Sequence, residues 1–81
     1  MTTTVAIESK IKAAFPGITL YTEGATVQNP FSGESASLDR YGVSLYDLII
    51  GAEMVGKYDV VRKGLDIFRQ YYPREYMTLL D

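Results

Sequence analysis

The chain has 81 residues, a 47% hydrophobic content and a formal net charge of −2. This length excludes two independent cores, and the apolar content excludes a disordered chain, so we predict one small globular domain over residues 1–81. The small charge does not indicate a nucleic-acid partner or a DNA-mimicking acidic surface. The absence of cysteine excludes disulfides and thiolate metal sites.

The sequence does not predict membrane association. No stretch reaches the roughly 20 apolar residues that a spanning helix needs. The segment MTTTVAIESKIK lacks the basic region and apolar run of a signal peptide. We therefore expect a cytoplasmic protein without membrane association.

The first element in the chain is a helix. In VAIESKIKAAF, one helical face carries Ile7, Ile11, Ala14 and Phe15. Pro16 and Gly17 end this pattern. The spacing predicts an N-terminal helix that buries this face.

Short β-prone runs follow the first helix. They are ITLYT, ATVQ and ESASL, and they are separated by Glu23-Gly24 and by NPFSG. We predict a three-stranded antiparallel β-meander. In its second turn, Asn29 can bond the backbone ahead, and Gly33 can adopt a left-handed conformation.

A longer helix begins after Asp39, its predicted N-cap, and ends at Gly56. Its apolar face consists of Leu45, Leu48, Ile49, Ala52 and Val55. Gly51 lies inside this helix, where it indicates either the close approach of another backbone or simple tolerance.

The next helix covers KYDVVRKGLDIFRQYY, and Pro73 opens a short terminal helix. Because the connection at Gly56 is short, the two longer helices should form a helical hairpin. The predicted fold class is therefore α+β: a helix, a meander, and a helical hairpin with a short terminal helix packed on the sheet.

The chemistry of the chain is restricted. Without histidine or cysteine, it lacks the commonest general base and the strongest nucleophile. Its glycines form no phosphate-binding loop. We therefore expect a protein that is not an enzyme and that uses no cofactor and no metal.

The NPFSG turn is the first candidate for partner binding. If Pro30 and Phe31 occupy the centre of the turn that begins at Asn29, the ring of Phe31 points away from the strands. An exposed aromatic side chain on a rigid loop can anchor a partner. The alternative is that Phe31 folds back onto the sheet or the helical hairpin.

Two further surfaces are candidates. Tyr71, Tyr72 and Tyr76 lie close together near the C-terminus and could form either a second partner surface or the edge of the core. The basic residues Arg62, Lys63 and Arg69 could contact nucleic acid, although interleaved acidic residues favour a solvated, ion-paired face.

The segment from Asn29 to Asp81 resembles small uncharacterised proteins of tailed bacteriophages and related mobile elements. The resemblance covers roughly two thirds of the chain and lies in NPFSG, LYDLIIGAEM and RKGLDIFRQYYPREYMTLLD, with GAEM and YPREY as its most specific parts. It implies a phage accessory protein in an infected bacterium and carries no catalytic residues.

Three functions are compatible with this sequence. The first is a non-enzymatic module that binds a host protein and modulates or inhibits it, for example against a defence system. The second is a small nucleic-acid-associated protein. The third is a homo-oligomeric component of the virion or of its assembly, in which subunits share the apolar stripes of the helical hairpin.

Overall fold

The structure is a computed structural model that describes the backbone of residues 2–80 and the side chains of residues 6–80. Within this range it has an α+β fold with four helices and a two-stranded antiparallel sheet. In chain order the elements are α1 (Thr2–Ala14), β1 (Ala25–Gln28), β2 (Ser35–Leu38), α2 (Arg40–Met54), α3 (Tyr58–Tyr71) and α4 (Pro73–Leu79).

Helix α1 buries the face that its spacing predicts. Ile7 and Ile11 are buried, and Ala14 and Phe15 pack at the edge of the core. Tyr41 of α2 donates a hydrogen bond to Glu8 Oε1 at 2.8 Å, which joins α1 to α2. The helix ends where Pro16 interrupts the pattern, because proline has no backbone N–H to continue it.

The sheet contains two of the three predicted strands. Strands β1 and β2 pair from Ala25↔Leu38 to Gln28↔Ser35. The predicted first strand, ITLYT, is wrong: residues 18–22 form an irregular segment along α2.

Side chains of α2 satisfy the backbone of this segment. Tyr21 N donates to Ser44 Oγ at 2.8 Å, and Arg40 Nε donates to Tyr21 O at 2.9 Å. Gly24 then crosses the end of β2 so closely that a Cβ there would lie 2.3 Å from Leu38 O. Glu23-Gly24 is therefore a crossing over β2 and not a hairpin turn.

Helices α2 and α3 form the predicted helical hairpin. Asp39 caps α2, since its Oδ1 accepts a hydrogen bond from Gly42 N at 2.9 Å. Gly56, which has a φ of 76°, ends α2 and turns the chain toward α3. Gly64 of α3 packs directly against Ile49 of α2, since a Cβ at Gly64 would lie 2.6 Å from Ile49 Cγ1.

The core lies between the helical hairpin and the elements that cover it. Its fully buried side chains include Phe68, Ile11, Leu45 and Ile49. Helix α4 begins with Pro73, buries Leu79 and packs on β2. Across residues 2–80, every helix is too short or too polar to traverse a lipid bilayer.

Candidate partner-binding site

The loop between β1 and β2 has a defined hydrogen-bonded structure. Asn29 N donates to Glu34 O at 2.7 Å, and Gly33 N donates to Asn29 O at 2.8 Å. Asn29 Oδ1 accepts hydrogen bonds from Phe31 N at 2.8 Å and Ser32 N at 3.4 Å. Gly33 closes the loop with a φ of 80°, a conformation that glycine adopts without strain.

A second contact of Asn29 fixes this loop to the rest of the domain. Its Nδ2 donates a hydrogen bond to Thr78 O of α4 at 3.0 Å. One half-buried amide thus shapes the turn through its oxygen and attaches the turn to α4 through its nitrogen. The position of the loop is therefore fixed relative to α4.

Phe31 projects into solvent from the tip of this loop. Its exposed fraction is 97%, the highest among the large exposed hydrophobic residues. Pro30 beside it is also exposed. Phe31 therefore does not fold back onto the sheet or the helices, and its ring is free for a partner.

Tyr72, by contrast, belongs to the edge of the core. Its ring packs on Phe68 with a centroid separation of 5.2 Å, and its OH donates a hydrogen bond to Asp39 Oδ1 at 2.6 Å. Burial, together with the Asp39 carboxylate, raises the pKa of Tyr72 well above its ordinary value of 10.0. These contacts show that Tyr72 packs at the edge of the core.

The other two tyrosines of the C-terminal group are also half-buried. Tyr71 and Tyr76 pack against the core cluster. The guanidinium of Arg69 lies 5.2 Å from the ring centroid of Tyr76 and covers part of its exposed face. The structure brings Tyr71, Tyr72 and Tyr76 together as the edge of the core, and it leaves less free aromatic surface here than at Phe31.

The basic residues of α3 are exposed, but Arg69 is already paired. Arg69 Nη2 lies 2.8 Å from Asp66 Oδ1. Arg62 and Lys63 lie on the solvent side of the same helix. This face therefore carries interleaved acidic and basic groups, an arrangement that weakens attraction to a phosphate backbone.

A groove along α2 is a feature that the sequence did not predict. It has a volume of about 740 Å³ and lies between residues 14–21, the second half of α2 and the start of α3. Its walls are mainly apolar, with Asp47 and Lys57 among its charged residues. The groove depends on the irregular path of residues 18–22, and the β-prone composition of this segment predicted a strand instead. The feature of the sequence that pointed to the groove was Gly51, a glycine in the interior of α2.

Tyr21 closes one side of this groove. Its OH donates a short hydrogen bond to Asp47 Oδ2, and this carboxylate raises the pKa of Tyr21 above its ordinary value. Among residues 2–80, no three acidic side chains are grouped so that they could hold a metal ion. The loop around Phe31 and the groove along α2 both offer a partner apolar contacts with charged groups beside them.

Comparisons of the chain with protein-family models, with curated proteins and with solved structures gave no match.

Proposed function

We propose that the protein is a non-enzymatic interaction module that docks on a bacterial host protein and modulates or inhibits it. The observation that carries this proposal is the 97% exposure of Phe31 on a loop whose backbone is held by hydrogen bonds. The resemblance to phage accessory proteins supplies the setting, the cytoplasm of an infected bacterium. Action against a host defence system is one form of such modulation.

The loop has the two properties of an efficient anchor. Aromatic side chains that enter a partner's pocket supply a large share of the binding energy in protein interfaces. A loop already held in its bound shape loses little conformational entropy on association. Phe31 provides the apolar group, while Asn29 and Pro30 hold the backbone from which it projects.

The partner that fits this tip has an apolar pocket about the size of a phenyl ring. Glu34 at the base of the loop is exposed, so a basic residue at the rim of that pocket would complement it. Binding is then driven mainly by burial of one ring and oriented by a peripheral charge. Binding modulates the host protein if this pocket also serves the host protein's own activity.

Phe31→Ala tests the anchor directly. We expect this substitution to leave the fold intact and to weaken partner binding by about 2 kcal/mol or more, since the ring makes no core contact. The measurement is retention of host proteins from bacterial lysate by the tagged protein, with and without nuclease, followed by titration of the retained partner. Tyr58→Ala is the matched control, because Tyr58 is a 62% exposed aromatic residue outside the loop.

Three outcomes separate the alternatives. Loss of a stoichiometric partner in Phe31→Ala, but not in Tyr58→Ala, supports the proposal. Full affinity in a folded Phe31→Ala protein would remove Phe31 as the anchor. Retention that disappears with nuclease and falls steeply with salt would instead indicate nucleic-acid binding through Arg62 and Lys63.

A further inference from the structure

Strand β1 has an edge that no other strand among the described residues covers. In the predicted meander, residues 18–22 would pair with this edge. In the structure, Ser44 and Arg40 bond the backbone of that segment instead, and it runs along α2. Strand β1 therefore contacts β2 and α2 and lies at the outside of a two-stranded sheet.

The register of the hairpin shows which backbone groups face this open edge. Asn29 N donates to Glu34 O, and bonded pairs alternate with non-bonded pairs along an antiparallel ladder. Val27 therefore bonds across to β2, whereas the N–H and C=O groups of Thr26 and Gln28 point outward. Backbone hydrogen bonds within residues 2–80 leave these four outward groups unpaired.

The side chains of β1 leave this edge accessible. Thr26 Oγ1 lies 3.3 Å from Ser37 Oγ, across the hairpin. Gln28 Nε2 donates a hydrogen bond to Gly33 O at 3.0 Å, so this side chain also bonds within the hairpin. Three of the four residues of β1 are exposed, and Val27 is half-buried. Exposed edge strands usually carry a charge, a proline or a bulge that prevents pairing, and β1, with the sequence ATVQ in continuous register, has none of these.

We propose that the host partner that binds Phe31 also supplies an extended segment, which pairs with β1 as a third strand. Two donors and two acceptors along one edge match the backbone of an extended peptide. In an antiparallel arrangement, Thr26 and Gln28 each exchange two hydrogen bonds with the added strand, so all four outward groups are paired. The side chains of β1 are uncharged, so this edge fits a peptide backbone better than a charged polymer.

The open edge leads directly into the loop that carries Phe31. Gln28 is the last residue of β1, and the bond from Asn29 N to Glu34 O continues the ladder into this loop. A partner whose pocket holds the Phe31 ring therefore lies beside the end of β1. The ring then contributes apolar burial, while the added strand contributes directional hydrogen bonds that fix the orientation of the partner. This inference rests on the proposed function, because it concerns the same partner.

Amide hydrogen exchange of the free protein tests whether the edge is open. At low protein concentration, the N–H groups of Thr26 and Gln28 should exchange rapidly, whereas that of Val27 should be protected by its bond to β2. Slow exchange at Thr26 and Gln28 would overturn the proposal, because the edge would then be covered within the domain. Protection that increases with the concentration of the protein itself would also overturn it, because a second copy would then occupy the edge.

Two substitutions at one position test the pairing itself. Thr26→Pro removes the outward N–H, which the hairpin does not use, and places the proline ring on the edge. Thr26→Ala is the matched control, because it also loses the contact with Ser37 Oγ but keeps the N–H. The probe is the host protein that the tagged chain retains from bacterial lysate, in purified form. Thr26→Pro should weaken its binding roughly tenfold or more, whereas Thr26→Ala should bind it as the original chain does. A thermal melt of each variant establishes that it is folded.

Amide exchange in the complex of the original chain gives a result that needs no variant. Exchange at Thr26 and Gln28 should slow roughly tenfold or more on binding, whereas Ser37, whose N–H faces the opposite edge of the sheet, should not change. This result, together with weak binding by Thr26→Pro alone, supports the proposal. If Phe31→Ala loses the partner while Thr26→Pro binds it fully and both amides still exchange rapidly, the proposed function stands and the strand pairing is overturned. If the tagged chain retains no stoichiometric protein, the proposed function and the strand pairing are both overturned.

Discussion

At the scale of single residues, Asp39 connects the start of α2 to the end of α3. Its Oδ1 accepts hydrogen bonds from Gly42 N at 2.9 Å and from Tyr72 OH at 2.6 Å. The first bond caps α2, and the second fixes the ring that covers Phe68. One carboxylate oxygen therefore supports both the helix and its packing.

The raised pKa of Tyr72 predicts how stability depends on alkaline pH. Burial is the main cause, and the carboxylates of Asp39 and Glu75 add to it. Because the folded pKa lies above the unfolded value of 10.0, the stabilisation is complete below that pH and is lost as the pH rises above it.

Tyr72→Phe should therefore change two quantities. Near neutral pH we expect the free energy of unfolding to fall by about 1 kcal/mol, because the hydrogen bond to Asp39 is lost. Above about pH 10, its decline with pH should be shallower than in the original chain. Urea unfolding at neutral and at alkaline pH measures both; an identical alkaline slope in the two proteins would contradict the assignment to Tyr72.

The pH dependence should not vanish completely in this variant. The pKa values of Tyr21 and Tyr41 are also raised, by hydrogen bonds to Asp47 and Glu8 respectively. These two tyrosines lie at other contacts of α2. Tyr41→Phe, which removes a bond between α1 and α2, therefore provides a comparison at a separate site.

At the scale of elements, two glycines in the helical hairpin have opposite surroundings. Gly51 of α2 faces open space, whereas a Cβ at Gly64 of α3 would lie 2.6 Å from Ile49 Cγ1. The same substitution at the two positions should therefore change stability in opposite directions.

Gly51→Ala should raise the free energy of unfolding by roughly 0.5–1 kcal/mol, since alanine favours the helix and meets no neighbour. Gly64→Ala should lower it by about 1–3 kcal/mol, because the added methyl group forces α3 away from Ile49. Chemical denaturation at low protein concentration measures both without a contribution from self-association. Destabilisation by Gly51→Ala would show that this position is constrained within the chain.

The local elements were largely predictable from the sequence. The Asp39 cap, the apolar face of α1 and the turn at Gly56 depend on neighbouring residues, and the structure confirms them. The meander was wrong in its first strand because β-prone residues 18–22 find their hydrogen bonds at Ser44 and Arg40, which are distant in the sequence.

The candidate sites also combine features that neighbouring residues determine with features that depend on residues distant in the sequence. The turn at Asn29 follows from a short local pattern of turn residues. The sequence left open whether Phe31 points into solvent or folds back onto the domain, and the structure shows it 97% exposed. The bond from Asn29 to Thr78 spans 49 positions and was not predicted. The groove could not be predicted either, since its walls come from three separated parts of the chain.

At the scale of the whole molecule, the bond between Asn29 and Thr78 couples the loop to α4. Asn29→Ala should therefore loosen both: it removes the acceptor for Phe31 N and the donor to Thr78 O. We expect faster amide hydrogen exchange at Phe31 and in the last turn of α4, together with weaker partner binding although Phe31 is still present.

Amide exchange followed by NMR measures this coupling residue by residue. Thr26→Ala is a suitable control, because it removes a hydroxyl contact with Ser37 inside the hairpin but none in the loop or α4. Faster exchange that is confined to the loop would show that α4 holds its last turn without Asn29.

The residue that follows Asn29 also affects how long this coupling lasts. Asparagine side chains convert slowly to aspartate when the backbone nitrogen of the next residue attacks the amide, and Pro30 has no N–H to serve in that attack. Conversion would replace the donor to Thr78 O with a carboxylate that repels it. Pro30 therefore protects the loop against chemical ageing, and the protein should keep its exposed ring in position over prolonged storage.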